Sequence, residues 1–492
     1  MNLLKKLASE TAIYGLSSIL SRLLNWVILT PYLTRVLGQK PYGIVSDLYV
    51  WTALILVVLT FRMETALFRF GSEKNNLNRS FSTAFFLIGS LSLCFILLGI
   101  RFIPEISQWL SYENTPDYIF WFILIIGLDG LSALPFAKLR LLEKPFLFAL
   151  LKTGAIVINI LLVYFFLEFC PWLIKHNYNI PAWIYNSEDQ ILYLFKANFL
   201  ASFLVFLLLL PSLFSVKWDV SWALLKKMII YSSPLVLAGI AGIVNQLIGI
   251  PLLKEKASPD IDYNLQQAGL YSAASKIAVL MALFTQAFNY AAEPFFFKNA
   301  KRTDSKKWYG QIAQYFTLVG SITFLAIMLF LDYIQFFLGE NFRSGLHIVP
   351  ILLMANLFLG LYYNFSIWFK LTDKTYFGGR IAVFGSLITF ALNLYFIPQI
   401  GIAAPAWASL FCYGFMAGTT FLLGKKHFPI QYPIKKMLFY LVFTLLVYVA
   451  FLSYKNLIPQ HFLFLVNGFI LALTILLFLF VDKIHKRINI LQ

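Results

Sequence analysis

An arginine stands inside the apolar stretch "SSILSRLLNW", residues 17–26. Arg22 falls near the middle of a run from Thr11 to Leu33 that is long enough to cross a bilayer as a helix. A guanidinium at that depth costs at least about 2.5–3.5 kcal/mol. At helical spacing, Tyr14, Ser18, Arg22 and Asn25 share one face and form a polar stripe. The planar fork of an arginine donates two parallel hydrogen bonds to a phosphate or carboxylate, so the stripe has the chemistry of an anion site. The structural alternative is that Arg22 meets helix-end carbonyls or snorkels to the interface. From a depth of roughly 18 Å, at 1.5 Å per residue, snorkelling is hard.

Three more cations lie inside apolar windows: Lys152, Lys196 and Lys276. Ser272 and Lys276 begin a second polar stripe that runs on through Gln286 and Asn289. Within the same windows only Asp47 and Asp129 oppose them, so the intramembrane charge is biased positive. Each ionisable group in such a setting is a functional candidate. Arg22, Lys276, Asn25, Ser18 and Lys196 form the candidate binding set, although Lys196 is shallow enough for its stem to reach the outer interface instead. Asp129 and Lys152 sit at similar depths on neighbouring antiparallel segments, which predicts a structural ion pair. The alternative there is a proton or sodium site on Asp129. Asp47 lies near the outer face, where an interfacial role suffices.

Glu64 with Arg69, and Glu293 with Lys298, recur at corresponding ends of two windows. They either cap and pair locally or act as a cytoplasmic gate. Pro135, Pro234 and Pro251 fall inside windows, where neighbouring helices can re-satisfy the carbonyls that a proline frees. The three cysteines and five histidines are scattered, without metal-ligand spacing. No GxxxxGK[ST] loop and no Ser-His-Asp arrangement occurs. The expectation is therefore no catalytic residue, no metal and no cofactor, with H+ or Na+ as the coupling ion if one is used.

Membrane helices must position these groups. Of 492 residues, 60% are hydrophobic and 12% charged, too few charges to cover a soluble globule. Fourteen windows have spanning length: 10–34, 42–62, 81–103, 117–137, 146–167, 190–213, 227–253, 266–292, 309–331, 345–369, 376–397, 402–424, 434–454 and 461–481. The first is too long for a signal peptide and lacks a small-x-small cleavage site, so no cleaved leader is expected. Basic residues gather on one set of alternating loops, with Lys298, Lys301, Arg302, Lys306 and Lys307 among them. The opposite loops hold acids such as Asp260 and Asp262. By the positive-inside rule both termini are cytoplasmic. The net charge of +17 is then a topology signal, not a nucleic-acid footprint.

The windows also repeat. Asn25-WVILT-Pro31-Tyr-Leu33 matches Asn245-QLIGI-Pro251-Leu-Leu253 in the seventh window. Gly43-Ile-Val-Ser46 matches Gly269-Leu-Tyr-Ser272, and Glu64-TAL-Phe68-Arg69 matches Glu293-PFF-Phe297-Lys298. The order is kept and the offset grows slowly. A unit of six helices enters twice from the same side, which makes the halves parallel repeats. Residues 1–213 form the first lobe, 214–425 the second, and 426–492 two added helices with a cytoplasmic tail.

Fourteen windows in two parallel halves, "YLTRVLGQKPYG" closing the first helix and "QQAGLYSAASKIAVL" opening the eighth, resemble the bacterial oligosaccharide flippases. These belong to the multidrug/oligosaccharidyl-lipid/polysaccharide exporter (MOP) superfamily. The resemblance implies an all-α polytopic fold with two lobes in a V, and alternating access for an undecaprenyl-pyrophosphate-linked glycan. It further implies a bacterial inner membrane location, a cationic cavity fed by the first and eighth helices, and lipid-linked oligosaccharide and membrane lipids as partners. Other polysaccharide-assembly membrane proteins are further candidate partners, and nucleic acid is not one. A drug or cation antiporter of the same superfamily is the alternative, and it calls for cavity carboxylates. A membrane glycan polymerase or ligase, or a non-enzymatic scaffold, leaves the duplication or Arg22 unexplained.

Overall fold

The computed structural model describes residues 20, 23–72, 76–186, 189–214, 218–298, 302 and 304–491. Among them thirteen helices are long and apolar enough to cross a membrane, and no strand occurs. The chain is an all-helical, multi-pass membrane protein. The first part of the expected first span, 10–34, lies outside the described residues, Ser18 and Arg22 included. Its end is a π-helical turn, Asn25–Leu29, running into α1 (Thr30–Val36). The chain divides into two compact units, Met1–Ile243 and Val244–Gln492.

In the first unit, α2 (Gln39–Thr60) and α3 (Met63–Gly71) make one broken span, followed by α4 (Leu77–Arg101) and the short α5 (Ile103–Trp109). Then come α6 (Pro116–Leu141), α7 (Pro145–Tyr164), a π-helical turn at Phe165–Phe169 and α8 (Cys170–Lys175). The unit continues with α9 (Gln190–Phe214) and most of α10 (Trp222–Leu247). Pro116 and Pro145 open their helices, where a missing N–H leaves nothing unsatisfied. Met63, Ala66 and Leu67 of α3 are buried with Phe81, Ala84 and Ile88 of α4, Leu134 of α6 and Met228 of α10. The start of α10 is thus part of the first unit's core.

Pro251 explains why α10 stops at Leu247 and α11 (Gly249–Lys256) begins afresh, because its ring cannot donate to the carbonyl four residues back. The second unit continues with α12 (Ile261–Lys298), α13 (Ser305–Leu329) and the short α14 (Leu331–Ile334). After 3-10 turns at Gln335–Phe337 and Glu340–Ile348 come α15 (Val349–Phe365) and α16 (Ile367–Leu371). The long helices α17 (Tyr376–Ile400), α18 (Ala403–His427), α19 (Ile434–Tyr454) and α20 (Gln460–Leu491) complete the chain. The last two dock on α13 through Asp482. Its carboxylate accepts from Gln314 Nε2 at 2.8 Å and Tyr315 OH at 3.0 Å, with Lys436 Nζ 3.5 Å away.

The two units carry the same turn at the same place. After α6, Glu143 adopts φ 51°, and Lys144 N donates to Leu139 O at 3.0 Å. After α16, Asp373 adopts φ 56°, and Lys374 N donates to Phe369 O at 2.9 Å. A left-handed residue closing a six-to-one bond is a Schellman helix end, here built twice on an acid followed by a lysine.

Candidate functional site

A cavity of about 460 Å³ opens inside the first unit, walled by α2, α3, α6, α7 and α9. Its charged lining is Arg62, Glu64, Asp129, Arg140 and Lys152, joined by the hydroxyls of Thr60, Ser132 and Ser202. Three cations and two acids thus share one cavity.

Asp129 projects from α6, and its Oδ1 accepts a hydrogen bond from Ser202 Oγ of α9 at 2.9 Å. Lys152 of α7 places its ammonium 4.2 Å from the ring centroid of Phe136, a cation–π contact. From there it acts electrostatically on both Asp129 and Glu64. The two residues expected to pair therefore do share a site, but Lys152 serves a second acid as well. Glu64, half-buried at the start of α3, is also under the influence of Arg62 and Arg140.

Arg62 stands at the break between α2 and α3. Phe61 and Arg62 both take left-handed backbone angles, φ 46° and 52°, without glycine or asparagine at either position. Each such residue costs about 1–3 kcal/mol and persists only where its surroundings hold it. Arg62 O is held by Thr65 N at 3.0 Å and by Ser232 Oγ of α10 at 3.5 Å.

The remaining sequence candidates are dispersed. Asn25 is exposed in its π-helical turn. Lys196 of α9 lies over the ring of Tyr193, 4.6 Å from the centroid. Lys276 is half-buried on α12 in the second unit. Asp47 is fully buried, its Oδ2 accepting from Tyr112 OH at 2.9 Å. Arg69 turns its guanidinium onto Tyr231, 4.4 Å from the centroid. Glu293 pairs with Lys370 of α16 at 2.8 Å, while the side chain of Lys298 lies outside the described set.

Arg62, Arg140 and Ser202 are the site residues that sequence reasoning missed. Arg62 ends the window 42–62 and Arg140 follows the window 117–137, so both read in sequence as ordinary helix-end charges. One buried polar cluster of the second unit, around Asn245, is neutral. Asn245 Oδ1 accepts from Thr389 Oγ1 at 3.3 Å and Cys412 Sγ at 3.5 Å, and its Nδ2 donates to Ala382 O at 3.3 Å. Among the described residues no cluster of His, Cys, Asp and Glu could hold a metal ion.

Solved structures share this helix order. "Lipid II flippase MurJ, inward closed conformation" superposes with a TM-score of 0.75 at 16% identity, covering 97% of this chain and 99% of that one. The fold is that of the MOP exporters. An inward-facing multidrug resistance MATE transporter of the MOP superfamily matches with TM-score 0.64 at 12% identity, over 85% of this chain and 94% of its own. The MATE multidrug transporter DinF-BH matches with 0.59 at 16% identity, over 87% and 97%. No family model and no curated protein sequence matches the chain.

Proposed function

We propose that the chain is a flippase. Its cargo is an undecaprenyl-pyrophosphate-linked oligosaccharide, a polysaccharide or lipopolysaccharide precursor. It carries that cargo from the cytoplasmic to the outer leaflet of a bacterial inner membrane by alternating access. One observation supports this reading above others: the cations of the membrane interior outnumber its acids. In the first unit's cavity Arg62, Arg140 and Lys152 face Glu64 and Asp129, and the sequence adds Arg22, Lys196 and Lys276 within apolar windows. Cations in a low-dielectric setting favour an anionic headgroup, and arginine suits a phosphate through paired donors. The chain acts as a transporter with no chemistry of its own, and both termini lie in the cytoplasm.

Asp129, held by Ser202 and facing Lys152, is the group on which a coupling H+ or Na+ would act. The same carboxylate favours a second reading, a drug or cation antiporter, because a cavity acid attracts organic cations. Proteoliposomes separate the two. Under the flippase reading, the purified chain moves a fluorescent undecaprenyl-pyrophosphate oligosaccharide between leaflets and leaves a cationic dye untouched. Dye movement without glycolipid movement overturns it and leaves the antiporter.

A further inference from the structure

Arg62 lines the charged cavity and also touches α10. In the cavity it acts on Glu64. Its guanidinium lies across the bare Cα of Gly239 in α10. A methyl group built there would meet Arg62 Nη2 at 2.6 Å and Nε at 2.9 Å. The room exists only because residue 239 has no side chain. The neighbouring contacts run to the same helix: Ser232 Oγ reaches Arg62 O, Met228 packs on Met63, and Arg69 covers Tyr231. The strained pair Phe61–Arg62 is thus clamped where α3 meets α10.

We infer that Arg62 is a positioning residue that ties the charge state of the cavity to α10, the helix that carries the chain into the second unit. Glu64 lines the same cavity as the guanidinium, and its carboxylate is under the field of Lys152, Arg62 and Arg140. Whatever neutralises or displaces that carboxylate frees the guanidinium to leave Gly239, and α10 loosens. The inference concerns the first unit alone and does not depend on which cargo the chain carries, so it stands or falls separately from the flippase reading.

Amide hydrogen exchange on the full chain in detergent tests it. Arg62→Gln and Gly239→Ala each raise exchange in peptides covering residues 222–243 by about tenfold, while peptides of α4 and α6 keep their protection. Gly239→Ala serves where Arg62→Gln folds poorly, because the atom it displaces is the far end of a flexible side chain. Glu64→Gln raises α10 exchange in the native background and has no effect in Arg62→Gln, the non-additivity expected of two residues acting through one contact. A purely structural arginine would let the Glu64 effect persist. The inference is overturned if α10 exchange is unmoved by both single variants, or if Glu64→Gln acts equally in the two backgrounds.

Discussion

Lys370 donates to Glu293 across 2.8 Å and so ties the end of α16 to the end of α12. In the first unit Lys152, Arg62 and Arg140 all act on Glu64, while Arg69 lies over Tyr231.

The Lys370–Glu293 pair is half open to solvent, with side chains 32% and 49% exposed. A double-mutant cycle of Lys370→Met and Glu293→Gln, followed by thermal unfolding, is expected to give a coupling of about 0.2–1 kcal/mol that fades with added salt. A coupling that persists at molar salt would assign the pair a buried role.

Replacing Asp129 by Asn keeps the bond from Ser202 and removes the charge facing Lys152. The protein is expected to remain folded, and transport in proteoliposomes to lose its dependence on an imposed H+ or Na+ gradient. Gradient-driven transport at the native rate would remove Asp129 from coupling.

Arg22 lies outside the described residues, and its role rests on the sequence. Arg22→Ala is expected to abolish glycolipid movement while the protein still inserts, and Arg22→Lys to retain part of it. Full activity of the alanine variant sinks the cationic-stripe reading.

Asp482 is buried among Gln314, Tyr315 and Lys436. Asp482→Leu leaves a nearly buried ammonium without its counter-charge, at a cost of about 3–5 kcal/mol. Unfolding in detergent should report that loss, and limited proteolysis should cut the link between α18 and α19 first.

Much of the fold was legible because bilayer thickness imposes a length on apolar runs. The window 376–397 lies within α17 and 434–454 coincides with α19. Asp129 and Lys152 were legible as neighbours from depth alone, since a short turn joins their helices. Arg62 was not. Two consecutive left-handed residues are signalled in sequence by glycine or asparagine, and Phe61–Arg62 offers neither. The partner of Glu293 was missed for another reason: local spacing points to Lys298, whereas Lys370 is brought near only by the packing of α12 against α15 and α16.

The burial of Met228 among Met63, Ala66, Leu67 and Phe81 bears on how the protein is made. As the ribosome delivers the chain into the membrane, the helices up to Phe214 arrive with one wall of their core uncovered. That wall closes only when the opening turns of α10 are inserted. A chain truncated at Phe214 should therefore be held by chaperones or degraded, while one extended through Ile243 should persist.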